Sequence, residues 1–392
     1  MNARARSTGL ALLLLAGWVV HPPGVRGQAV PAADLPRVEA PGAFLTDAGS
    51  GQELYAREPD APRAPASMTK LMTLVLALEA VNAGRVRWDA LVPVSDAAYR
   101  TGGAQIWLEP GERITFRDLV RAIAVGSAND ACVAVAEYLG GGSEGAFVAR
   151  MNRLAQRLGM RHTRYLNPHG LDMPGHETTP RDMAILARYA VRVPGLLALT
   201  RERQDRSIRD GKGGTLWLVN PNRLLVTYPG ADGLKTGFTA HAGYCVTATA
   251  RHEGLRLIAV VMGDPTARQR NADATRLLDW GFSRYEAVEV GRAGQSFGSV
   301  VVRRGAPGRV SAVLAREGTV LVERGQKAGL DRQVRLPREV EAPVRRGQRL
   351  GHLWVRAGGR TVGDLPLVAA APSTRLTGLG LFWDLLRRIL TR

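Results

Sequence analysis

The sequence predicts an α+β domain, then a small all-β domain, then a terminal amphipathic helix. Three features of the chain indicate this order. Between residues 34 and 285, capped apolar segments with a helical period alternate with strand-like segments. Between residues 287 and 371, valine-rich segments alternate with turns of Gly, Pro and Arg, without a helical period. Residues 373–392 return to a helical period with charges on one face.

The length and charge of the chain limit the classes of protein to which it can belong. Its 392 residues are too many for one ordinary core, and 45% hydrophobic with 22% charged residues is a globular composition. The net charge of +18 suits an anionic membrane or cell-wall surface. Nucleic acid is not expected as a partner, because the chain has no zinc-finger spacing, RNP-like motif or basic helix.

Residues 1–27 have the composition of a signal peptide. Two arginines precede an apolar run over residues 9–20, and small residues follow. Because the run is too short for a typical spanning helix, we expect export of the chain. Cys132 and Cys245 are then able to pair in an oxidising compartment, but each lies in an apolar context where free cysteines are common. We predict two free thiols.

The first domain is expected to begin with a hairpin over residues 43–56. A proline-rich approach leads to a buried helix that starts at Ser67 and continues through the apolar residues 71–78. Residues 85–114 are predicted to be irregular. Three further helices are expected where a capping residue precedes an apolar segment, at Thr115, Ser143 and Thr179, and another over residues 131–139.

Strands and one more helix complete the first domain. Strands are predicted at residues 224–228, 233–237, 244–250 and 255–262, and the last two flank a turn as a hairpin. A helix is predicted over residues 266–282. Short strands of the second domain are predicted at residues 300–302, 310–314, 320–322, 334–336 and 353–355.

The terminal segment has one apolar and one charged face. Its apolar residues, at i, i+3, i+4, i+7, i+10 and i+11, are Leu379, Phe382, Trp383, Leu386, Ile389 and Leu390. Tryptophan with flanking arginines suits a membrane interface, so we favour a helix lying in the surface of a membrane. The alternative is a helix that docks on the protein itself.

Ser67 and Lys70 form the first candidate catalytic pair. Residues at i and i+3 share one helix face, so the lysine lies one turn from the serine. A serine hydroxyl needs an adjacent base, and a lysine can be that base only if its pKa is lowered. Serine at a helix start is by itself usually just an N-cap. However, only four of the 53 basic residues are lysine, and arginine cannot give up its proton. A lysine at position 70 is therefore informative.

Two more short motifs follow in the chain. Ser127-Ala128-Asn129 lies between two predicted helices, and Lys235-Thr236-Gly237 lies in a predicted edge strand. Taken alone, the first motif is typical of a turn and the second of the end of a strand. Together, in this order, S-x-x-K, S-x-N and K-T-G are the motifs of β-lactamases and penicillin-binding proteins.

Residues 34–285 resemble the low-molecular-mass penicillin-binding proteins that are serine-type D-Ala-D-Ala carboxypeptidases. Longer segments carry the resemblance as well, at residues 63–73, 167–171, 179–183, 232–239, 242–245 and 257–263. The β domain and the terminal helix resemble the rest of the membrane-anchored type.

The resemblance implies a β-lactamase/DD-peptidase-like domain, with an antiparallel sheet flanked by helices and a helical subdomain. It implies removal of the terminal D-alanine from peptidoglycan pentapeptide stems, with β-lactams as covalent inhibitors. It also implies a place on the periplasmic side of the bacterial inner membrane, held to the anionic lipid surface by the C-terminal helix. Neither a metal nor a cofactor is expected.

The resemblance also assigns roles to residues. The catalytic residues would be Ser67 as the acyl-ester nucleophile, Lys70 as the general base and Ser127 as the proton relay to the leaving amine. The substrate-binding residues would be Asn129, Lys235, Thr236, Gly237, Phe238 and Arg270. Lys235 would keep Lys70 less protonated and attract the terminal carboxylate, which Thr236 would bind. Gly237 would let its strand approach the substrate.

The resemblance implies two further roles. The backbone N–H groups of Ser67 and Phe238 would form the oxyanion hole. Arg270 would face the substrate carboxylate; the alternative is a surface arginine on a helix. His169 and His241 receive no catalytic role.

Three other functions remain open. A class A β-lactamase needs a glutamate that activates the deacylating water, and no matching segment lies between Asn129 and Lys235. A DD-endopeptidase is chemically closer, but resembles the chain less because of the β domain and terminal helix. A non-catalytic wall-binding protein would not need both Lys70 and Lys235.

Overall fold

The structure is a computed structural model that describes residues 34–209, 214–378, 380 and 382. The signal peptide predicted for residues 1–27 and most of the helix predicted for residues 373–392 lie outside the described residues. The prediction that this helix begins at residue 373 is wrong. Thr374–Arg375 is a strand instead, because it pairs with Gly305–Ala306 and the Ser373 hydroxyl donates to the Pro307 carbonyl.

The first part of the chain combines nine α-helices with nine strands among its described residues. The strands are β1 (Gly42–Asp47), β2 (Glu53–Arg57), β3 (Leu91–Pro93), β4 (Arg113–Thr115), β5 (Gln204–Asp205), β6 (Leu218–Val219), β7 (Ala231–Thr239), β8 (Gly243–His252) and β9 (Leu255–Asp264). The helices are α1 (Lys70–Asn82), α2 (Asp96–Arg100), α3 (Phe116–Arg121), α4 (Asn129–Leu139), α5 (Glu144–Leu158), α6 (Pro180–Ala190), α7 (Leu196–Thr200), α8 (Leu224–Thr227) and α9 (Ala267–Arg284). A 3-10 helix, Ala66–Thr69, precedes α1, and a π-helix, Ala122–Gly126, follows α3.

One antiparallel sheet divides the core of this part. Its strand order is β2-β1-β9-β8-β7, so β7 is an edge strand, as predicted for the Lys-Thr-Gly segment. Side chains alternate along β9: Leu257, Ala259 and Val261 pack with α9, whereas Ile258, Val260 and Met262 face the core that contains α1, α4 and α6. Helices therefore cover both faces of the sheet.

The predicted capping residues begin their helices. The side chains of Thr115, Ser143 and Thr179 each accept the backbone N–H three residues later. The hairpin of β8 and β9 turns on Glu253 and Gly254, both with positive φ, as a two-residue loop requires. These predictions from sequence are confirmed.

Two local predictions are wrong. Residues 224–227 form helix α8 and not a strand, and the Asn222 side chain accepts the Leu224 N–H in the turn that leads into it. Residues 85–114 are not wholly irregular. They contain α2, β3 and the start of β4, and β3 pairs with β4. Such short elements have too little periodicity to be seen in the sequence.

The second part of the chain is all β apart from one 3-10 turn, Lys327–Gly329. Its strands are β10 (Tyr285–Gly291), β11 (Ser296–Arg303), β12 (Gly305–Ala306), β13 (Arg309–Leu314), β14 (Gly318–Glu323), β15 (Asp331–Arg335), β16 (Glu339–Glu341), β17 (Arg349–Ala357), β18 (Arg360–Ala369) and β19 (Thr374–Arg375). Six of them form a sheet of order β15-β17-β18-β13-β11-β16 around an apolar core. The predicted α+β domain followed by an all-β domain is confirmed.

The state of the two cysteines was also predicted from the sequence. Cys132 on α4 and Cys245 on β8 are buried and free, which confirms the two free thiols. Across residues 34–209 and 214–378, the structure contains no helix that is both long and apolar enough to span a membrane.

Candidate active site

Ser67 and Lys70 lie where the 3-10 helix joins α1. Ser67 is within the 3-10 helix and Lys70 is the first residue of α1. The Lys70 Nζ lies 2.7 Å from the Ser67 Oγ. The predicted pairing of a serine hydroxyl with a lysine amine is therefore present in the fold, at hydrogen-bond distance.

The environment of Lys70 makes its ammonium group easier to deprotonate. Its side chain is fully buried, and this burial lowers the pKa of Lys70 to about 8, against smaller opposing effects of Cys132 and Asp130. The Nζ also donates to the backbone carbonyl of His169, at 2.7 Å. A lysine held in this way can accept a proton near neutral pH, which an exposed lysine cannot.

Ser127 lies at the junction between the π-helix and α4. It has φ of 60°, a left-handed conformation that is uncommon for a residue other than glycine. The π-helix and α4 both contact α1, so this junction faces the helix that carries Lys70. The tertiary fold thus brings the second motif to the first, and Ser127 is buried there.

The side chain of Asn129 forms a hydrogen bond within the protein through one of its two polar atoms. Its Nδ2 donates to the Gly102 carbonyl at 2.6 Å, and its backbone N–H donates to the Ala104 carbonyl. Its Oδ1 is buried and has no hydrogen-bond partner among the described residues. A buried acceptor without a partner is costly, so this oxygen is available to a ligand donor.

Asp130 fixes the segment that faces Asn129. Its buried carboxylate accepts the backbone N–H groups of Ile106 and Leu108 at 3.0 to 3.2 Å. Sequence reasoning missed this residue. The only available indication was an acidic residue at the start of a predicted helix, which is usually explained by the helix dipole.

Lys235 is the second buried lysine of the site. Burial, together with repulsion from Lys70 and Arg270, lowers its pKa to about 7. Its Nζ donates to the Thr236 carbonyl at 3.2 Å. Lys235 was expected to depress the pKa of Lys70, but burial is the larger cause for both lysines. Repulsion between the two lysines lowers the pKa of Lys235 and is not among the causes that lower the pKa of Lys70.

Gly237 brings β7 against the 3-10 helix. A Cβ at this position would lie 2.9 Å from the Pro65 carbonyl and 3.1 Å from the Ala66 Cβ. The close approach therefore exists already within the protein, whereas the sequence suggested an approach to the substrate. A glycine here is required to place the Lys-Thr-Gly strand beside Ser67.

Phe238 and Arg270 lie at the same end of the sheet. Phe238 is half exposed at the end of β7 and stacks on Tyr244, with ring centroids 4.2 Å apart. Arg270 is buried in the first turn of α9, and burial lowers its pKa. It is thus not the surface arginine of the alternative interpretation. Its guanidinium donates to the Asn271 Oδ1.

The chain was compared with known families. The family described as D-alanyl-D-alanine carboxypeptidase matches residues 29–266, and the family described as penicillin-binding protein 5, C-terminal domain, matches residues 285–372.

Individual relatives agree with the family matches. The D-alanyl-D-alanine carboxypeptidase DacF of Bacillus subtilis is 37% identical over 84% of this chain and 85% of its own length. The D-alanyl-D-alanine carboxypeptidase DacA of Escherichia coli is 34% identical over 85% of this chain and 83% of its own length. The solved structure of penicillin binding protein 5 from Haemophilus influenzae has a TM-score of 0.76 at 29% identity, covering 87% of this chain and 99% of its own.

The first match covers the described elements from β1 to β9 and the second covers those from β10 to β18, with α9 between the two matches. All three motifs lie within the first match. The chain belongs to the D-alanyl-D-alanine carboxypeptidase family, and it is a serine peptidase with the C-terminal β domain of penicillin-binding protein 5.

Proposed function

We propose that the chain removes the terminal D-alanine from peptidoglycan stem peptides through an acyl-enzyme on Ser67, and that β-lactams acylate the same hydroxyl. The observation that carries this proposal is the buried Lys70 amine 2.7 Å from the Ser67 Oγ. The D-Ala-D-Ala specificity rests on the family and its named relatives. Neither a cofactor nor a metal enters the reaction.

The proposed chemistry has two halves. Lys70 takes the Ser67 hydroxyl proton as the Oγ attacks the carbonyl carbon of the penultimate D-alanine. The C–N bond to the terminal D-alanine then breaks, and Ser127 relays the proton from Lys70 to the departing amine. Water hydrolyses the ester in the second half, with Lys70 again as the base. Ser67 and Lys70 return to their starting states.

The remaining residues would bind the substrate and the developing charge. The unpartnered Asn129 Oδ1 supports a contact with a substrate N–H. Lys235, Thr236 and Arg270 would face the terminal carboxylate. The backbone N–H groups of Ser67 and Phe238 would bind the oxyanion. The first N–H groups of a helix have no carbonyl partner within the helix, which applies to Ser67. An edge strand has one side without a neighbouring strand, which applies to Phe238 on β7.

The test is release of free D-alanine from a peptide that ends in D-Ala-D-Ala. Wild type should release it, and Ser67→Ala should not. Intact-mass spectrometry after penicillin should find one adduct on the Ser67 peptide. An adduct that persists in Ser67→Ala would refute the nucleophile. Cleavage of cross-linked peptides but not of the linear peptide would favour an endopeptidase, and rapid turnover of penicillin would favour a β-lactamase.

We also propose that the chain is exported, with residues 1–27 as a leader, and is held on the outer face of the inner membrane by its C-terminal segment. Under this division, residues 34–285 form the catalytic domain, residues 287–371 act as a spacer, and the segment within residues 373–392 is the anchor. The charge at the end of the β domain supports the proposal. Exposed arginines lie near the point where the chain continues past residue 378: Arg304, Arg345, Arg346 and Arg375.

Backbone contacts bring these arginines together. Arg375 pairs with Gly305, the Leu376 N–H donates to the Arg304 carbonyl, and Val344 pairs with Ser373. The only carboxylates paired nearby, within the described residues, are Glu339 and Glu341, both with Arg303. The excess positive charge suits anionic lipid headgroups. The attraction to the lipid surface is about 1 kcal/mol for each arginine near it.

Truncation after Gly378 tests the anchor without disturbing β19. The truncated protein should move to the soluble periplasmic fraction with unchanged turnover of a short peptide. Retention at the membrane, or loss of turnover, would contradict the proposal. Glutamine at Arg304, Arg345, Arg346 and Arg375 should weaken binding to anionic vesicles. The matched control places glutamine at Arg332, Arg335, Arg356 and Arg360, which lie on β15 and beside the turn between β17 and β18.

A further inference from the structure

Thr73 holds a segment that contacts Lys70. It lies three residues after Lys70, on the same face of α1, and its hydroxyl donates to the Pro168 carbonyl at 2.6 Å. Lys70 donates to the next carbonyl along, that of His169. Two successive carbonyls of one segment therefore lie against two successive turns of α1. Thr73 is fully buried, so water does not compete for its hydroxyl.

His176 makes a second contact from the far end of the same segment. Its Nδ1 accepts the Leu166 N–H at 3.0 Å, which leaves the ring proton on Nε2. The Nε2 lies 2.9 Å from the Thr69 Oγ1, in the 3-10 helix that carries Ser67. Burial lowers the pKa of His176 to about 4, so the ring is neutral near pH 7 and donates to Thr69.

The chain between these two contacts has little freedom. Gly170 has φ of 91°, and a Cβ there would lie 1.8 Å from the Ala66 carbonyl oxygen. The Asn167 Oδ1 accepts the N–H groups of His169 and Gly170. The His169 carbonyl is therefore directed at Lys70 by a segment fixed on both sides.

We propose that Thr73 and His176 are positioning residues for Lys70: they hold the His169 carbonyl so that it accepts one N–H of the amine and leaves the lone pair facing the Ser67 hydroxyl. A neutral amine has two N–H groups and one lone pair, so a fixed acceptor on one N–H restricts where the lone pair points. Neither residue touches the reacting atoms. The proposal rests on Lys70 being the base, as proposed above.

The test compares three threonine variants of the full chain by their rate of penicillin acylation across pH. Thr73→Val removes the hydroxyl with little change of shape, and Thr73→Ser restores it. The matched control is Thr249→Val on β8, where an equally buried hydroxyl donates to the Leu257 carbonyl at 3.0 Å. The thermal unfolding midpoint of each variant is measured as well.

Thr73→Val should acylate about tenfold more slowly than wild type or worse, since small displacements of a catalytic group are costly. The midpoint of its acidic limb should move to lower pH, because a displaced carbonyl no longer stabilises the ammonium form of Lys70. Thr73→Ser should return to within about twofold of wild type. Thr249→Val should lose stability and keep both the rate and the midpoint.

Equal rates and midpoints in Thr73→Val and Thr249→Val would overturn the proposal, as would a slower rate with an unmoved midpoint. If Thr73→Val does not fold, Thr69→Val tests the same proposal, because it removes the hydroxyl to which His176 donates. It should shift the midpoint in the same direction by a smaller amount. If Lys70→Arg keeps the acidic limb of the wild type, Lys70 is not the base. This result would refute the proposed function, whereas the threonine variants test only the positioning of Lys70.

Discussion

The catalytic domain and the β domain fill their interiors differently. The catalytic domain buries Lys70, Asp130, Lys235, Asp264 and Arg270, each no more than 4% exposed. The core of the β domain is valine, leucine and alanine, and every charged side chain among its described residues is at least partly exposed. Burial of a charged group is costly, and at Lys70 and Lys235 it lowers the pKa values on which the proposed chemistry depends.

This difference separates two kinds of substitution. In the polar interior, a change should alter the rate more than the stability. In the apolar interior of the β domain, a change should alter the stability and leave the rate of the folded protein unchanged.

The largest effect is expected from Lys70→Arg. Arginine keeps the charge but cannot act as a base, and loss of a general base typically costs about 10²–10⁴ in rate. Stopped-flow measurement of penicillin acylation checks this. Acylation at the wild-type rate would show that Lys70 is not the base and would remove the main reason for its burial.

Leu353→Ala is the counterpart in the β domain. Leu353 is fully buried on β17, and truncation of such a side chain typically lowers the free energy of unfolding by about 2–5 kcal/mol. Urea unfolding should detect the loss, while acylation of the protein that remains folded should stay within about twofold of wild type. A large loss of acylation rate would mean that the two domains are coupled.

Lys70→Met should stabilise the protein while preventing acylation. The pKa of Lys70 falls from 10.5 in an unfolded chain to about 8 on folding. A lysine with a lowered pKa costs stability most where both states are charged, below pH 8, and the cost fades as pH rises towards 10.5. The gain should be about 1–3 kcal/mol at pH 7, measured by unfolding at several pH values. A gain that grows with pH would contradict it.

The smallest effect is expected from Lys235→Arg, and it concerns the shape of the pH profile. Lys235 loses its charge as pH rises past its pKa of about 7, so wild-type acylation should fall at alkaline pH. Arginine stays charged, so the alkaline fall should disappear in the variant. The acidic limb should move to lower pH, since a permanent charge beside Lys70 disfavours its protonation. An unchanged alkaline fall would assign that limb to another group.

The sequence by itself determined the starts of three helices, the hairpins of β1 with β2 and of β8 with β9, and the residues of the three motifs. Capping at Thr115, Ser143 and Thr179 acts between residues three apart, and the alternation along β9 is local as well. Such short-range rules need no knowledge of the fold. The residue types of Ser67 and Lys70 were equally visible, because a nucleophile and a base need particular side chains.

Only the tertiary structure decided how those residues meet and which proton states they favour. The His169 carbonyl that binds Lys70 is a backbone group, and every residue has one, so no residue type in the sequence marks it. The close approach of Gly237 to Pro65 and Ala66 was not visible in the sequence, because these residues are far from Gly237 along the chain. The pKa values of Lys70 and Lys235 depend on burial by distant segments, and burial is a property of the whole fold.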